Sequence, residues 1–580
     1  MLKPAPPKHV WITEAYEREA VARFSQKAAI PPLPALILWK RGYRDSQAVE
    51  HFLNPSLEHL HDPFRMPDMN RAVERLIMAR EKNEKILIHG DYDVDGITAA
   101  ALMIRGLGRL GIDSQPYLPH RLNDGYGLSE KSIQVAHQSA SNLILTVDCG
   151  ITAVNEALKA SVSGIDLIIT DHHEPSDELP CAVAVLCPKR TDSVYPFSEL
   201  AGVGVAYKLL TALYLELNLS LDELNADLDL VALGTIADLV PLINENRVFA
   251  SLGLEQISRT KKIGLQALIE SANLSKKSIT ATAVGFGLAP RLNASGRMAN
   301  AELGLKLLLS SNKAEAKAIA YQLDEFNKQR RVVEAHILKD AEQMAERQIN
   351  EMNPRVLVCH HRSWHEGVIG IVASRLVEAF GRPAILFADK EAYLKGSGRS
   401  VKGFNLHDAL SAVRENITSF GGHEAAAGIV LEKHKLRDFT LAINKYADDC
   451  SEDVFASKLF LDAEVQLDEL CEETKSFFHK FRPFGIGNKA PCFASRNLEV
   501  VGTPRVFGRN HIKFTVRSDN VTLPVIMYGG ADLILSLEPA RPNALDLAYR
   551  LSSDDYWGVS RTQLLARDLI INHSHGEQNA

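Results

Sequence analysis

Three short apolar segments in the first half of the chain each end in acidic or histidine side chains. Ile86–His89 runs into Gly-Asp-Tyr-Asp-Val-Asp-Gly, Leu143–Val147 into Asp-Cys-Gly, and Asp166–Thr170 into Asp-His-His. Helical patterns near 97–110 and 152–160 separate these segments. Such alternation with short connections predicts parallel strands joined by crossover helices. Ligands bind such sheets beyond the carboxyl ends of the strands, so we expect the three turns to share one site.

The composition is typical of a soluble protein with several domains. The chain has 580 residues, of which 46% are hydrophobic and 24% charged. A net charge of -7 argues against a uniformly basic surface but allows a local basic groove. The seven cysteines contain no Cys-x-x-Cys pair, which fits a reducing compartment and argues against a zinc–thiolate site. Because no apolar run reaches membrane-spanning length and the N-terminus lacks a signal-peptide core, we expect a cytoplasmic protein without a membrane partner.

The turn at residues 89–96 concentrates titratable groups. His89, Asp93 and Asp95 fall at positions i, i+4 and i+6, with Asp91 beside them. These groups repel one another unless cations lie among them. A plain turn and helix-cap cluster is the alternative, since Asp and Gly are common in turns. Imidazole with carboxylates suits Mn²⁺, or Mg²⁺ with water, and a pair of such cations predicts metal-dependent chemistry at phosphorus.

The second half of the chain predicts a second α/β domain and a barrel. Residues 312–350 lack Gly and Pro and have helical apolar spacing, which indicates a long connecting helix. Strand–helix alternation restarts at Arg355–Cys359, and beyond about 455 short β-type runs with frequent turns indicate a small β-barrel. Glycine-interrupted segments are expected to form loops or turns: 289–297, 395–400 and 421–428.

Several residues outside the acidic turns are candidates for contact with nucleic acid. Arginine forks match phosphate oxygens, and glycine lets the backbone approach closely; these reasons select Arg297, Ser397, Arg399, Gly422 and His423. A solvated arginine or a tight strand–helix turn is the structural alternative for each of them.

Two further features fit a single strand. Tyr126 could stack on a base or sugar, although a core tyrosine is the alternative. Residues 505–517 interleave basic and aromatic side chains, with Arg505, Arg509 and Lys513 as the contacts and an ordinary exposed hairpin as the alternative.

Taken together, these motifs resemble the DHH phosphoesterase superfamily. The resemblance rests on His-Gly-Asp-Tyr-Asp-Val-Asp-Gly, Val-Asp-Cys-Gly, Asp-His-His, Gly-Thr-Ile-Ala-Asp, Arg-Leu-Asn-Ala-Ser-Gly-Arg, Gly-Gly-His-Glu-Ala-Ala-Ala-Gly and Pro-Phe-Gly-Ile-Gly-Asn, in this order from about residue 60 onward. It implies that His89 and Asp93 hold one cation, that Asp95, His172 and Asp238 hold the other, and that Asp148 bridges them. It also implies catalytic roles for His173, near the scissile phosphate, and for Asp91, which either binds metal or supports a neighbouring ligand.

Within that superfamily, the order and length of the motifs are similar to those of bacterial 5′→3′ exonucleases specific for single-stranded DNA. The resemblance implies release of 5′-mononucleotides in DNA repair and recombination, a monomer, and a single-strand-binding protein and a RecQ-type helicase as partners. It divides the chain into an N-terminal extension packed on the domain after it, a DHH domain, a connecting helix, a DHH-associated domain and an OB-like barrel, at 1–60, 61–310, 311–350, 351–450 and 451–580.

Two rival functions remain open from the sequence. One is a DHH enzyme that cleaves very short oligonucleotides or cyclic dinucleotides, against which the additional barrel counts. The other is a non-catalytic DNA-binding scaffold that has kept the fold, against which the complete set of acids and histidines counts.

Overall fold

The computed structural model describes residues 9–119, 127–274, 279–298, 300–508, 510–537, 543–554 and 561–573. Tyr126 and Arg509, two of the predicted DNA contacts, lie outside these residues. The chain forms two compact units: Met1–Asn54, Ser451–Arg482 and Lys489–Ala580 form one, and Pro55–Cys450 and Pro483–Asn488 form the other. None of the described helices is long and apolar enough to cross a membrane.

The first elements of the chain are β1 (Val10–Thr13), α1 (Arg18–Ala28), α2 (Pro32–Lys40) and α3 (Ser46–Leu53). These elements group with the C-terminal region in one compact unit. Packing of the N-terminal extension on the domain after it stays a prediction. Strand β1 pairs in parallel with Lys458–Leu461, and the Trp11 indole donates a 2.9 Å hydrogen bond to Asp568. Trp11 and Asp568 are 557 positions apart in the chain, so the local sequence does not indicate this contact.

The first sheet is parallel throughout, and its central strands are buried on both faces. Its strands, in the order β3-β2-β4-β5-β6, are β2 (Ile86–Gly90), β3 (Ser114–Tyr117), β4 (Leu143–Val147), β5 (Asp166–Thr170) and β6 (Ala184–Leu186). Ile86 and Ile88 face one apolar core and Leu87 faces the other, because successive side chains of a strand alternate. The parallel sheet predicted from the three apolar segments is therefore confirmed.

Helices cover this sheet and extend beyond it. In chain order they are α4 (Met69–Glu81), α5 (Val94–Arg109), α6 (Glu130–Gln138), α7 (Val154–Val162), α8 (Gly202–Glu216), α9 (Asp222–Asn225), α10 (Leu228–Ala237), α11 (Asn244–Ser258), α12 (Ile263–Ser271), α13 (Ala281–Ala283), α14 (Ala289–Met298), α15 (Glu302–Leu309) and α16 (Lys313–Glu351). Helix α16 is the long connecting helix that the sequence predicts.

The segment 289–297 is a helix, so the expectation of a loop there is wrong. A π-helical turn at Val284–Leu288 leads into α14. Gly296, which suggested a break in the sequence, serves close packing instead: a Cβ there would lie 2.7 Å from the Tyr92 carbonyl oxygen.

The second sheet combines parallel and antiparallel pairing. Its strands are β7 (Leu357–His361), β8 (Ala384–Asp389), β9 (Tyr393–Arg399), β10 (Ser419–His423) and β11 (Ala426–Glu432), in the order β10-β11-β9-β8-β7. Only β7 and β8 are parallel. Helices α17 (Ile369–Phe380), α18 (Leu406–Ala412) and α19 (Leu436–Asp448) accompany them.

Both glycine-rich segments that the sequence suggested as turns lie mostly in this sheet. A Cβ at Gly396 would lie 2.4 Å from the Phe387 ring, so the glycine allows β9 to pass a buried aromatic side chain. The expectation of turns at 395–400 and 421–428 is therefore wrong, except for the short connection between β10 and β11.

The C-terminal region forms a small closed barrel, as predicted. After α20 (Glu452–Phe455) come β12 (Lys458–Leu461), β13 (Ala463–Glu464), α21 (Glu472–His479), β14 (Cys492–Phe507), β15 (His511–Ser518), β16 (Val521–Tyr528), β17 (Asn543–Asp554) and β18 (Arg561–His573). Strands β14-β15-β16-β18-β17 pair in succession, and pairing of β17 with β14 closes the barrel.

Candidate metal centre

The acidic turns meet at the carboxyl ends of the parallel strands. Asp91 and Asp93 follow β2, Asp148 follows β4, and His172 follows β5. Asp238 arrives separately, as the C-terminal cap of α10. Adjacent parallel strands end side by side, so Asp91 and His172, 81 positions apart in the chain, share one site.

Potential ligand atoms gather in three overlapping groups within the described part of the chain, each with its atoms within 4.8 Å of one another. The groups are Asp91, Asp93 and Asp148; Asp95, His172 and Asp238; and Asp148, His172 and His173. Asp148 belongs to two of these groups. Bridging of two cations by Asp148, which the family resemblance implies, stays a prediction.

The His172 imidazole lies at the centre of the acidic groups. Its Nε2 is 3.1 Å from Asp148 Oδ1, 3.7 Å from Asp238 Oδ2 and 3.9 Å from Asp95 Oδ2. Neither His172 Nε2 nor Asp148 Oδ1, both buried, has a hydrogen-bond partner among the described residues. Buried polar atoms that converge without hydrogen bonds are explained by a cation.

Burial and mutual repulsion distort the acid–base properties of this site. Burial, followed by the charge of Asp93, raises the pKa of Asp95 to about 7. Burial and the charge of Asp95 raise the pKa of Asp148 and of Asp238 well above the usual range. Burial and the neighbouring His173 lower the pKa of His172 to about 3, which keeps the imidazole neutral and able to bind a metal. Positive charge placed among these groups would relieve the repulsion.

Backbone N–H groups hold the acids in place. Asp95 accepts hydrogen bonds from the N–H groups of Gly202 (2.7 Å) and Val203 (2.9 Å). Asp93 caps α5 by accepting from the N–H groups of Asp95 and Gly96. Asp148 has a φ of 63°, a left-handed conformation that is costly outside glycine and is typical of functional sites.

Asp171 is a functional residue for which the sequence suggested no role. Its Oδ1 accepts a 2.7 Å hydrogen bond from the His173 ring, and its other oxygen accepts from the Ile151 N–H. Burial opposes the charge on Asp171 and on His173. The hydrogen bond and the attraction between the two residues nevertheless lower the pKa of Asp171 and raise the pKa of His173. Asp171 therefore orients His173 and stabilises its protonated form. Its position as the first residue of the Asp-His-His motif could have indicated this role in the sequence.

His89 stands apart from the three ligand groups. Its Nδ1 lies 3.5 Å from the Cys149 thiol, its ring packs on Tyr117, and burial lowers its pKa to about 4. Its buried Nε2 has no hydrogen-bond partner among the described residues. The geometry brings Asp91 rather than His89 together with Asp93 and Asp148, so metal binding by His89 stays a prediction.

Three predicted phosphate contacts, Arg297 on α14 and Ser397 and Arg399 on β9, lie near the start of α17. Arg297 donates a 2.9 Å hydrogen bond to the Gly367 carbonyl. Arg399 donates to the Ser397 hydroxyl, and a Cβ at Gly370 would lie 2.9 Å from that hydroxyl and 3.1 Å from the Arg399 guanidinium.

Gly422 and His423 lie on β10, at the end of the sheet that also carries Arg399. His423 is opposite Ala426, and Ala426 is opposite Arg399 on the next strand. The predicted contacts Arg399 and His423 are thus separated by a single strand, although 24 positions separate them in the chain.

The barrel carries a basic and aromatic face. Arg505 and Lys513 are exposed and directly opposite each other on β14 and β15. Beside them, the ring of His511 lies 5.4 Å from Phe507 and 4.9 Å from Tyr528, and 38% of Phe507 and 61% of Tyr528 is exposed. The sequence did not single out Tyr528, because only strand pairing brings it next to His511.

Comparison with known proteins agrees with this architecture. Residues 85–235 match the DHH family N-terminal domain, residues 353–449 the DHHA1 domain and residues 461–568 the RecJ OB domain. The fold and the site therefore define a metal-dependent phosphoesterase of the DHH type. The chain is 37% identical to the single-stranded-DNA-specific exonuclease RecJ of Bacillus subtilis, over 97% of this chain and 71% of that protein. It is 34% identical to the Escherichia coli RecJ, over 93% and 96%. The chain belongs to the RecJ family.

Solved structures of RecJ share the fold. RecJ of Thermus thermophilus in complex with Mn²⁺ superposes with a TM-score of 0.83 at 29% identity, covering 97% of this chain and 80% of that one. The same protein with Mg²⁺ gives a TM-score of 0.77 at 27% identity, with coverage of 97% and 78%. The sequence predicts Mn²⁺ or Mg²⁺ as the bound cation, and the two Thermus thermophilus RecJ structures are complexes with these ions.

Proposed function

We propose that the protein is an exonuclease that degrades single-stranded DNA from the 5′ end and releases 5′-mononucleotides. The observation that carries the proposal is the convergence of two ligand groups on Asp148 at the end of a buried parallel sheet. Paired cations at such a site are suited to in-line displacement at phosphorus. The names and folds of the relatives support single-stranded DNA as the substrate.

The donor set fits two divalent cations. Asp95, His172 and Asp238 would hold one, Asp93 with Asp91 or His89 would hold the other, and Asp148 would contact both. When bound, the cations supply charge that neutralises the phosphoryl oxygens and favours ionisation of the attacking water.

The proposal gives His173 a role in acting on the substrate. It is the most exposed of the histidines at the centre, with 44% of its side chain accessible, and Asp171 fixes its ring. Because Asp171 also stabilises the protonated form, His173 can donate a hydrogen bond or a proton to an oxygen of the scissile phosphate.

Outside the metal centre, cationic and aromatic groups would hold the DNA strand. Arg297, Ser397, Arg399, Gly422 and His423 would contact phosphates next to the site, where each charged contact adds a salt-dependent contribution to affinity. On the barrel, Arg505 and Lys513 would follow the backbone while Phe507 and Tyr528 stack on bases, whatever their sequence.

A labelled-strand assay tests reaction, polarity and product together. Single strands labelled at the 5′ or the 3′ end are incubated with Mn²⁺, and the products are separated by size. Release of labelled mononucleotide from the 5′-labelled strand at the earliest times, with a shortening ladder from the 3′-labelled strand, is expected. The opposite pattern would overturn the polarity, and equal digestion of blunt duplex would overturn the strand preference.

Substrate length separates the proposal from its nearest rival. A DHH enzyme for very short oligonucleotides or cyclic dinucleotides would cleave strands of two to five nucleotides and leave long strands intact. We expect kcat/KM to increase with length instead, because longer strands gain contacts with the cationic and aromatic groups.

The cellular setting follows from the family. The proposal includes a monomer in the cytoplasm, with a single-strand-binding protein and a RecQ-type helicase as partners. Light scattering that gives a mass near the 64.0 kDa of the chain would support the monomer, and twice that mass would contradict it.

A further inference from the structure

A cavity of about 570 Å³ lies in the helical part of the catalytic domain, away from the metal centre. Helices α5 and α10 pack against each other and carry metal-site residues, Asp95 and Asp238, at one end. Their opposite ends contribute Arg105 and Asp227 to the lining of the cavity. Asp95 and Arg105 lie ten positions apart on α5. At a rise of about 1.5 Å per residue this corresponds to about 15 Å, so a ligand in the cavity would not touch the metal centre.

The two acids in the cavity are already neutralised. Asp227 contacts Arg105 Nε (3.0 Å), Arg109 Nη2 (2.7 Å) and Lys262 Nζ (2.9 Å). Asp229 contacts Lys262 Nζ (2.7 Å) and accepts a hydrogen bond from the Thr260 hydroxyl. Three cations thus match two carboxylates, which leaves no uncompensated negative charge to repel an anion.

Two further cations line the cavity. Arg259 pairs with Glu255 at 2.9 Å, but both side chains are largely exposed, so the pair is weak and the guanidinium can exchange partners. Lys261 is exposed and makes no ion pair with any residue that the structure describes. Both side chains can reach an anion at the cavity mouth.

One helix start adds to the positive potential of the cavity. Lys262, which caps α12, lines the cavity, and the N-terminus of α12 makes no hydrogen bond to the side chain of its cap. At the starts of α10 and α16, in contrast, the side chains of Asp229 and Asn312 accept hydrogen bonds from backbone N–H groups. Ser310 and Ser311 also line the cavity, so one helix dipole, hydroxyl groups and cations favour the same kind of ligand.

The remaining lining is apolar. Ile263, Leu308 and Leu309 supply aliphatic surface beside the cations. The volume is within the range of small-ligand sites, about 300–1,000 Å³, and far exceeds that of a phosphate ion. A ligand that fits both surfaces has a phosphate group and a larger organic portion that packs on the aliphatic side chains.

We propose that this cavity is a second ligand site, which binds a phosphate-bearing small molecule of the 5′-mononucleotide class. The link to the product of the enzyme rests on the proposed function, whereas the recognition of phosphate rests on the cavity alone. Free phosphate shares the recognised group, so the two sources must be distinguished by measurement.

Binding to the full-length protein in EDTA, without DNA, tests the site independently of catalysis. Titration calorimetry with dAMP, inorganic phosphate and deoxyadenosine compares the parts of the ligand. We expect saturable binding of dAMP, weaker binding of phosphate and none of deoxyadenosine. Equal affinity for phosphate and dAMP would support the site with free phosphate as its ligand, whereas equal affinity for deoxyadenosine and dAMP would overturn it.

Variants locate the binding. The double variant Arg259→Ala/Lys261→Ala should weaken dAMP binding by about tenfold or more, because two charged contacts are lost. A matched double variant of exposed residues on α16, Lys339→Ala/Arg347→Ala, should bind dAMP as the parent does. The proposal would be overturned if the Arg259→Ala/Lys261→Ala variant bound dAMP with the affinity of the parent, or if the parent itself did not bind dAMP. Absence of nuclease activity in the parent would instead overturn the proposed function and leave the binding result intact.

Discussion

The two sheets of the larger unit divide the work between buried acids and accessible cations. The parallel sheet is covered on both faces, and its strand ends present carboxylates with raised pKa values. The mixed sheet has an antiparallel half, β9, β11 and β10, which carries Ser397, Arg399 and His423. Buried residues alternate with more accessible ones along β9 and β11, and most of β10 is exposed. A group that performs chemistry must be desolvated and fixed, whereas a group that holds a moving polymer must remain reachable.

The difference also appears in how each site is stabilised. Asp95, Asp93 and Asp171 each accept hydrogen bonds from backbone N–H groups, which cannot be removed by changing a side chain. Arg297 and Arg399 donate to nearby carbonyl oxygens that water can replace. We therefore expect substitutions in the first site to abolish turnover and substitutions in the second to weaken affinity.

The largest expected effect is that of Asp148→Ala. Because Asp148 belongs to two ligand groups, its loss should lower kcat by at least about 10³-fold, as expected when charge stabilisation at phosphorus is lost. Single-strand binding, measured by fluorescence anisotropy in EDTA, should stay within a few-fold of the parent. Asp438→Ala on the exposed face of α19 is the matched control. Substantial turnover in Asp148→Ala would contradict the division of labour.

A pH experiment tests whether burial and the neighbouring charge of Asp93 keep Asp95 in its neutral form. The pKa of Asp95 is raised from 3.8 in the unfolded chain to about 7 in the fold. Below pH 3.8 the carboxyl is protonated in both states. Between pH 3.8 and 7 it is ionised only when unfolded, so stability falls as pH rises by up to about 1.4 kcal/mol per unit, and the loss is complete above pH 7.

The measurement compares Asp95→Asn with the parent by thermal unfolding in EDTA from pH 4 to pH 8. Asparagine does not titrate, so the Tm of the variant minus that of the parent should increase with pH up to about 7 and then level off. Added Mn²⁺ should stabilise the parent more than the variant. A difference that does not change with pH would show that Asp95 is not held in its neutral form.

The contrast between the two sheets also explains which features the sequence could predict. The metal centre was predictable because the carboxyl ends of parallel strands must meet, so three acidic turns imply one site. The role of Asp171 was not, because it depends on which carboxylate oxygen faces the His173 ring. The helical conformation of 289–297 was missed because Gly296 suggests a break, whereas its reason is the nearby Tyr92 carbonyl.

Long-range pairing limits what a sequence reveals about the cationic and aromatic surfaces. Arg399 and His423 come close only through the register of β9, β11 and β10. Phe514, one of the aromatic residues of the basic segment 505–517, is only 3% exposed and belongs to the barrel core. Alternation along the strand decides which side chains face the core. It depends on the register of strand pairing, which the local sequence does not show.

A medium effect is expected for Arg399→Ala. Loss of one charged phosphate contact should weaken single-strand binding by about tenfold and reduce the slope of log K against log salt by about 0.7. The reaction step should be preserved, so kcat at saturating DNA should change less than KM. Arg437→Ala, on the exposed surface of α19, serves as the control. A fall in kcat comparable to that of Asp148→Ala would place Arg399 in the chemistry and remove the distinction between the sheets.

The smallest expected effect is that of Tyr528→Ala on the barrel. Base stacking on an aromatic side chain contributes about 1–3 kcal/mol per base, so affinity for long strands should fall by about fivefold or more. Stacking carries no charge, so the salt slope should stay unchanged, in contrast to Arg399→Ala. Tyr321→Ala, on the exposed face of α16, should bind as the parent does. If Tyr528→Ala altered the salt slope instead of the affinity, the barrel face would act through its cations alone, and Arg505 and Lys513 would carry the whole contact.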